Sequence, residues 1–336
     1  MRKKPSSIYA IAEKTGFSAS TVARALRGTG YVSERTRGII LDAATELNYA
    51  PNQAAKTLKN NITRKIMFCI PDILNPYYFK MIRGVFDITE QNGYYTVLAY
   101  SQHDTEREIQ IIKALKTGFV DGLILGSFDF NHRLIEEIRD SGYPTVLTNL
   151  VRTDSGDDQF DCVYVDHTKA VRLATEHLLR RGHRNICLLG GSLSEQTGAE
   201  RRLGYASAMS DFGLERRDEL IIQSNFTREG GYRDFSRFTD LKIHFTAIVA
   251  CNDLMGVAAM YRCRELGLSV PGDVAIATLD DTDYCLCTDP NLTSIDMKQY
   301  EIGSHSADLL LKNIRGQRKT KNIVRLEPEL VIREST

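Results

Sequence analysis

This sequence of 336 residues lacks the short signatures of metal and nucleophilic chemistry. Its seven cysteines, Cys69, Cys162, Cys187, Cys251, Cys263, Cys285 and Cys287, are odd in number and form no C-x-x-C pair. That argues against a zinc ribbon or a disulfide framework and leaves reduced, mostly buried thiols. The histidines, His103, His132, His167, His177, His183, His244 and His305, show no metal-ligand spacing, and neither H-E-x-x-H nor G-x-S-x-G occurs. Gly190-Gly191-Ser192 follows a β-like run without completing G-x-G-x-x-G or a P-loop, so it reads as a tight strand-to-helix turn. No catalytic residue, metal or cofactor is expected. No apolar run reaches the roughly 18 residues of a membrane span, and Met1-Arg2-Lys3-Lys4 leads into no apolar segment. These absences predict a soluble, cytoplasmic protein with no membrane partner.

What is present is ordinary globular composition, 42% apolar and 26% charged, in a chain long enough for two or three domains. The net charge is zero but uneven: residues 1–65 hold twelve basic side chains against four acids, and the remainder carries the balancing negative charge. A small basic head on an acidic body points to a nucleic-acid module joined to something else.

Residues 8–47 read as three short helices. Ile8, Ile11 and Ala12 recur at helical spacing, Gly16-Phe17-Ser18 breaks the run, and Ser18 caps a helix over Ala19–Leu26. A turn this short makes a helix-turn-helix. Ser33-Glu34 opens a third helix with Ile39, Ile40, Ala43, Ala44 and Leu47 on one stripe. Residues 52–61, after Pro51, have Ala54, Ala55 and Leu58 at helical spacing but too few apolar groups to fold alone, a linker able to become a helix on contact. From Lys65 short β-branched runs alternate with amphipathic helices, among them Arg201–Phe212 and Asp253–Leu266, which predicts parallel sheets with right-handed crossovers. The pattern runs twice, with a break near the loop-like Asp154–Asp161, and two α/β halves imply a ligand cleft between them.

Ile8-Tyr9-Ala10-Ile11-Ala12-Glu13, Gly16 to Leu26, Tyr31-Val32-Ser33 and Leu47-Asn48-Tyr49-x-Pro51-Asn52 together resemble the lactose/galactose repressor family. The resemblance continues through Asn75-Pro76-Tyr77-Tyr78-Phe79, Gly182-His183-Arg184-Asn185-Ile186, Arg201-x-x-Gly204-Tyr205, Cys251-Asn252-Asp253, Leu279-Asp280-Asp281 and Pro328 to Arg333. It implies an all-α helix-turn-helix domain (1–50), a hinge helix (51–62) and a periplasmic-binding-protein-like core (63–336) of two doubly wound parallel-sheet subdomains. The expected subdomain ranges are 63–160 plus 292–322, and 161–291 plus 323–336. The function implied is that of a homodimeric transcriptional regulator, a repressor of carbohydrate-use genes, that binds a near-palindromic operator and senses a sugar-like effector.

A recognition helix offers its first residues to base edges, here Ala19, Ser20 and Arg24. Arg24 has the fork to pair with guanine O6 and N7; the alternative is a phosphate contact or a solvated arginine. Ser18, Thr21 and Tyr9 suit phosphate contacts, with helix capping and core packing as their plainer roles. Arg27 and Tyr31 complete the DNA-facing set. In the hinge, the resemblance makes Leu58 a minor-groove wedge, while Asn52, Ala55, Lys56 and Lys59 lie beside it, the lysines placed to neutralise phosphates.

The effector positions the resemblance implies are Asp72, Asn75, Tyr77, Tyr78, Asn149, Thr197, Arg201, Phe226, Asn252, Asp253 and Asp280. Arg201 is the clamping arginine and Asp280 its opposing carboxylate; the alternative for this pair is a salt bridge between the halves. Asn149 stands where many relatives carry Asp, and Glu195 stands where a purine sensor carries arginine, which weighs against a purine. The chain ends at Thr336 after a final strand without a heptad helix, so a dimer is expected over a tetramer. Three competing readings are a global regulator with a phosphorylated carrier protein as corepressor, a stand-alone sugar-binding protein, and a sugar-active enzyme, for which no catalytic pair is found.

Overall fold

The computed structural model describes residues 7–49, 62–127, 130–151, 160–193, 195–215, 217–240, 243–317 and 320–336. The chain divides into two compact units, Met1–Thr63 and Arg64–Thr336. In the first, α1 (Ile8–Thr15), α2 (Ala19–Arg27) and α3 (Glu34–Glu46) are each opened by a serine, Ser7, Ser18 and Ser33, whose hydroxyl accepts the backbone N–H three residues on. Gly16 ends α1 and Gly28 ends α2 in the left-handed conformation, at φ 72° and 67°, which glycine adopts without strain. Ile11, Val22, Ala25, Ile40, Ala43 and Ala44 form the shared core, with Phe17, Leu26 and Leu47 packed on it. The three-residue turn between α1 and α2 confirms the expected helix-turn-helix geometry.

The second unit contains two six-stranded sheets. The first is made by β1 (Lys65–Ile70), β2 (Tyr95–Tyr100), β3 (Leu123–Leu125), β4 (Thr145–Leu147), β5 (Asp161–Val165) and β11 (Ile323–Leu326), in the order β2-β1-β3-β4-β5-β11, all parallel. The second is made by β6 (Ile186–Gly190), β7 (Ile221–Gln223), β8 (Ala247–Ala250), β9 (Ala275–Asp280), β10 (Thr293–Asp296) and β12 (Glu329–Val331), in the order β7-β6-β8-β9-β10-β12, with β12 antiparallel. The intervening helices are α4 (Tyr77–Gln91), α5 (Thr105–Leu115), α6 (His132–Ser141), α7 (His167–Arg180), α8 (Gln196–Asp211), α9 (Arg228–Asp240), α10 (Asp253–Glu265) and α11 (Gln299–Ile314). Strands such as β1, β6, β8 and β9 are buried almost throughout because helices cover both faces of a parallel sheet. Helices α4 and α11 approach at Gly84 and Gly303; a Cβ at either would run into the other helix's backbone, at Tyr300 and Met81 respectively.

Sheet membership moves the expected subdomain boundaries. β5 pairs with β4, Leu147 opposite Cys162, so residues 161–165 belong to the first sheet and the chain crosses to the second half only after Val165. β10 pairs with β9 and stays in the second sheet, whereas β11 pairs with β5 in the first. The chain therefore crosses three times, after β5, β10 and β11. Loop-like composition carries no information on which sheet the next strand joins.

Candidate functional site

In the head, Ser20, Arg24 and Arg27 on α2 are exposed, and Tyr9 and Tyr31 are 76% and 93% exposed. Tyr9 is therefore not a core residue. Ser18 Oγ accepts the Thr21 N–H and lies 2.9 Å from both Ser20 Oγ and Thr21 Oγ1, a hydroxyl cluster at the start of α2. Arg24 folds back along its helix, Nε donating to the Ser20 carbonyl at 3.3 Å, and Ala19 is half-buried. One face thus collects hydroxyls and guanidiniums where orphan helix N–H groups already favour anions. Asn52, Ala55, Lys56, Leu58 and Lys59 lie outside the described residues.

In the core, the functional positions sit at the carboxyl ends of the strands: Asp72 after β1, Asn149 after β4, Phe226 after β7, Asn252 after β8, and Asp280 closing β9. Open parallel sheets place ligand crevices there because the strand order reverses beside β1 and beside β6. Helix α8 begins five residues earlier than the periodicity predicts, which puts Thr197 and Arg201 one turn apart on a single face.

Arg201 is 5% exposed, and its guanidinium stacks over the Phe226 ring, 4.7 Å from the centroid. Phe226 is held from three sides. Its backbone is left-handed at φ 62°, its carbonyl accepts Asn252 Nδ2 at 2.7 Å, and a Cβ on Gly191 would overlap its ring. Asp280 is buried with φ 104°, a conformation costly for an L-residue and typical of functional strain. Arg201 Nε, Asp280 Oδ1 and Thr197 Oγ1 are buried without hydrogen-bond partners. Arg201 and Asp280 both belong to the second half and make no ion pair with one another, so the alternative of a salt bridge between the halves is not what the structure shows for this pair.

The charges nevertheless act on one another. Burial raises the Asp280 carboxyl to about 8, the nearby Asp253 pushing the same way and Arg201 opposing. Burial raises Tyr77 and Tyr78 above the usual phenol range; Asp280 adds to this and Arg201 resists it. Because Tyr77 and Tyr78 start α4 in the first half, both halves face one electrostatic site. The two rings meet edge to face at 5.0 Å, with Tyr78 buried and Tyr77 half-buried.

Other expected positions have internal duties. Asp253 does not present a free carboxylate to a ligand: Oδ1 accepts from Thr278 Oγ1 and Ser294 Oγ, and Oδ2 from Thr282 N and Oγ1, all within 2.9 Å. Those four bonds fill its lone pairs, so it fastens β9, β10 and the loop after Asp280. Asn252 caps α10 through Met255 N, Asn75 accepts from Tyr77 N, and Asp72 accepts from Leu74 N. Asn149 donates to the Ser127 carbonyl at 2.7 Å, and Ser127 Oγ donates to the buried Glu108. Sequence reasoning missed Glu108, whose one signal is a carboxylate on the buried stripe of α5 with Ile112 and Leu115.

Two family models match: bacterial regulatory proteins of the lacI family over residues 7–52, and a periplasmic binding protein-like domain over residues 175–336. The HTH-type transcriptional regulator DegA of Bacillus subtilis is 30% identical over 331 residues, covering 98% of this chain and 97% of the relative. The lac repressor dimer bound to operator and the anti-inducer ONPF superposes with a TM-score of 0.88 at 25% identity, over 99% of each chain. A complex of the transcriptional regulator CelR with cellobiose matches with a TM-score of 0.77 at 27% identity, over 98% of this chain and 100% of the other. With a lacI-type head, a doubly wound two-sheet core and end-to-end similarity to such regulators, this chain belongs to the LacI family and is a DNA-binding transcriptional regulator, not an enzyme.

Proposed function

We infer that the protein is a cytoplasmic repressor of carbohydrate-use genes that binds a near-palindromic operator as a homodimer and is controlled by a sugar-like effector held between the core halves. The observation that carries this reading is the buried Arg201–Phe226–Asp280 group, with an unused donor and an unused acceptor, whose charges are felt at Tyr77 and Tyr78 of the other half. A sugar offers what such a site needs, hydroxyls for the polar atoms and a weakly apolar ring face for the aromatics. A ligand touching both halves favours one relative arrangement over another, and the two are already linked by Lys80 Nζ donating to the Asp281 carbonyl at 2.8 Å. The lac repressor and CelR neighbours, solved with ONPF and with cellobiose, support a sugar class of effector.

In the head, Arg24 reads a guanine, Ala19 and Ser20 approach neighbouring bases, and Tyr9, Ser18, Thr21, Arg27 and Tyr31 hold phosphates. Leu58 wedges the central base step, flanked by Asn52, Ala55, Lys56 and Lys59. Dimerisation is supported by exposed apolar side chains on the first half, Phe79 and Phe86 on α4 and Leu98 and Tyr100 on one face of the edge strand β2. A thermal-shift screen of the full chain against sugars, sugar phosphates, nucleosides and purines tests the effector class, since a ligand at 100 times its Kd adds about 2.7 kcal/mol. A stabilising sugar that alters operator affinity is expected; stabilisation by a purine alone would replace the reading.

A further inference from the structure

The Asp280 carboxyl stands on a strained piece of backbone. Asp280 and Asp281 follow one another with φ at 104° and 50°, two aspartates in succession in the region that favours glycine. Such a pair persists only where its surroundings over-determine it.

The hydrogen bonds around this dipeptide divide between the halves. The amides turn to the second half: Asp281 N–H donates to Ser294 Oγ at 3.0 Å, and the next amide, that of Thr282, donates to the Asp253 carboxylate at 2.7 Å. Arg333, after β12 in the same half, pairs with the Asp281 carboxylate at 2.7 Å. The two carbonyls turn to the first half. That of Asp280 accepts from Gln299 Nε2 at the start of α11, and that of Asp281 accepts from Lys80 Nζ on α4 at 2.8 Å.

These two donors are carried by one body. Helices α4 and α11 meet backbone to backbone, and the carbonyl that a Cβ on Gly84 would strike belongs to Tyr300, the residue after Gln299. Lys80 lies three residues beyond Tyr77 on the first turn of α4, so both occupy one side of the helix, and the charge of Asp280 acts on Tyr77. Gln299 is 1% exposed, while Lys80 is open to solvent. One bond is therefore sheltered and the other is easily exchanged for water, a combination that holds the dipeptide without fixing it permanently.

We propose that Lys80 and Gln299 form a clasp across the halves, which holds the Asp280–Asp281 backbone in its left-handed conformation and so positions the Asp280 carboxyl for the effector. The inference rests on the reading of Asp280 as an effector contact. Neither donor has to touch the ligand; both are positioning residues. When α4 and α11 move away with the first half, both donors leave together and the strained dipeptide relaxes, which takes the carboxyl out of its binding position. The effector then binds best to the clasped arrangement and, by linkage, favours it.

Two measurements on the full chain test this. The first needs no ligand: hydrogen exchange, read by mass spectrometry in the peptide spanning residues 280–284. In the double variant Lys80→Met/Gln299→Leu, checked for wild-type Tm, this peptide is expected to exchange at least about tenfold faster while β8 is unchanged, and Lys80→Arg is expected to keep the wild-type rate. The second is calorimetric titration with ribose, glucose, galactose, gluconate and cellobiose. A sugar that binds the wild type is expected to bind at least about fivefold more weakly to Lys80→Met and to Gln299→Leu, and within about twofold of wild type to Lys80→Arg. Wild-type exchange in the double variant overturns the clasp whatever the sugars do. Faster exchange with unchanged sugar affinity reduces the two bonds to structural ones and overturns the positioning role, leaving the sugar-effector reading in place. Failure of every sugar to bind overturns that reading and the positioning role with it.

Discussion

The guanidinium of Arg201 lies over the ring of Phe226, and neither it nor the neighbouring Asp280 finishes its hydrogen bonding within the protein. A buried cation and a buried carboxyl that do not neutralise each other are costly. In the proposed function, the effector's hydroxyls supply the partners that these groups lack. Arg201→Ala is accordingly expected to weaken effector binding by roughly 1.5–3 kcal/mol, the range for a hydrogen bond to a charged group, with operator affinity unchanged. Calorimetry and operator titration on the same sample check this, and a preserved ligand response would remove Arg201 from the site.

Asp280 gives the site a pH dependence. Its folded pKa of about 8 lies above the ordinary carboxylate value of 3.8, so between these two pH values the folded state holds a proton that the unfolded chain has released. That contribution to stability is fully present below pH 4 and is lost as pH rises through about 8. Asp280→Asn, which cannot ionise, is expected to raise Tm relative to wild type at pH 8, by on the order of 2–4 °C per kcal/mol recovered, and to leave it little changed near pH 4. The same variant should lose effector binding at every pH. A Tm difference independent of pH would show that the carboxyl titrates normally.

Asp253 serves stability instead. Replacing it with Ala leaves Thr278, Ser294 and the Thr282 N–H and hydroxyl without their shared acceptor. At about 1–3 kcal/mol for each buried polar group left unpaired, the core should lose several kcal/mol in urea unfolding, with no loss of ligand affinity in the fraction that remains folded. Full stability with lost ligand binding would restore Asp253 to the effector contacts.

In the head, Arg24→Ala should cost about 1–3 kcal/mol on the preferred operator and relax selection at one base position, while non-specific binding and its salt slope stay nearly constant. Equal losses on all DNA sequences would make Arg24 a phosphate contact.

Much of this architecture is legible in the residues because local and long-range demands agree. Ser18 is a good cap and also caps the recognition helix; Ile11, Val22 and Ile40 are apolar at helical spacing and form the head's core. Helix α9 is not legible, because Gly230-Gly231 looks like a breaker. Those glycines are set by packing: a Cβ at 230 would strike Asn225, and one at 231 would crowd Met255. The short strands β7 and β10 give too little periodicity to stand out, and sheet membership depends on pairing that composition does not encode. In the site, Arg201, Phe226 and Asp280 were found through family resemblance. Glu108 was not, since a polar residue gains its meaning there from the neighbours that the fold brings to it.

The measurement that tests the account most directly is selection of bound sequences from random double-stranded DNA by the full chain, followed by titration of the selected duplex with and without the sugar that stabilises the core. The account predicts a two-fold symmetric sequence bound by a dimer, and an affinity that changes at least about fivefold with the sugar, the lower end of ordinary allosteric coupling. Selection of no consensus, or an operator affinity indifferent to a sugar that demonstrably occupies the Arg201 site, would contradict it.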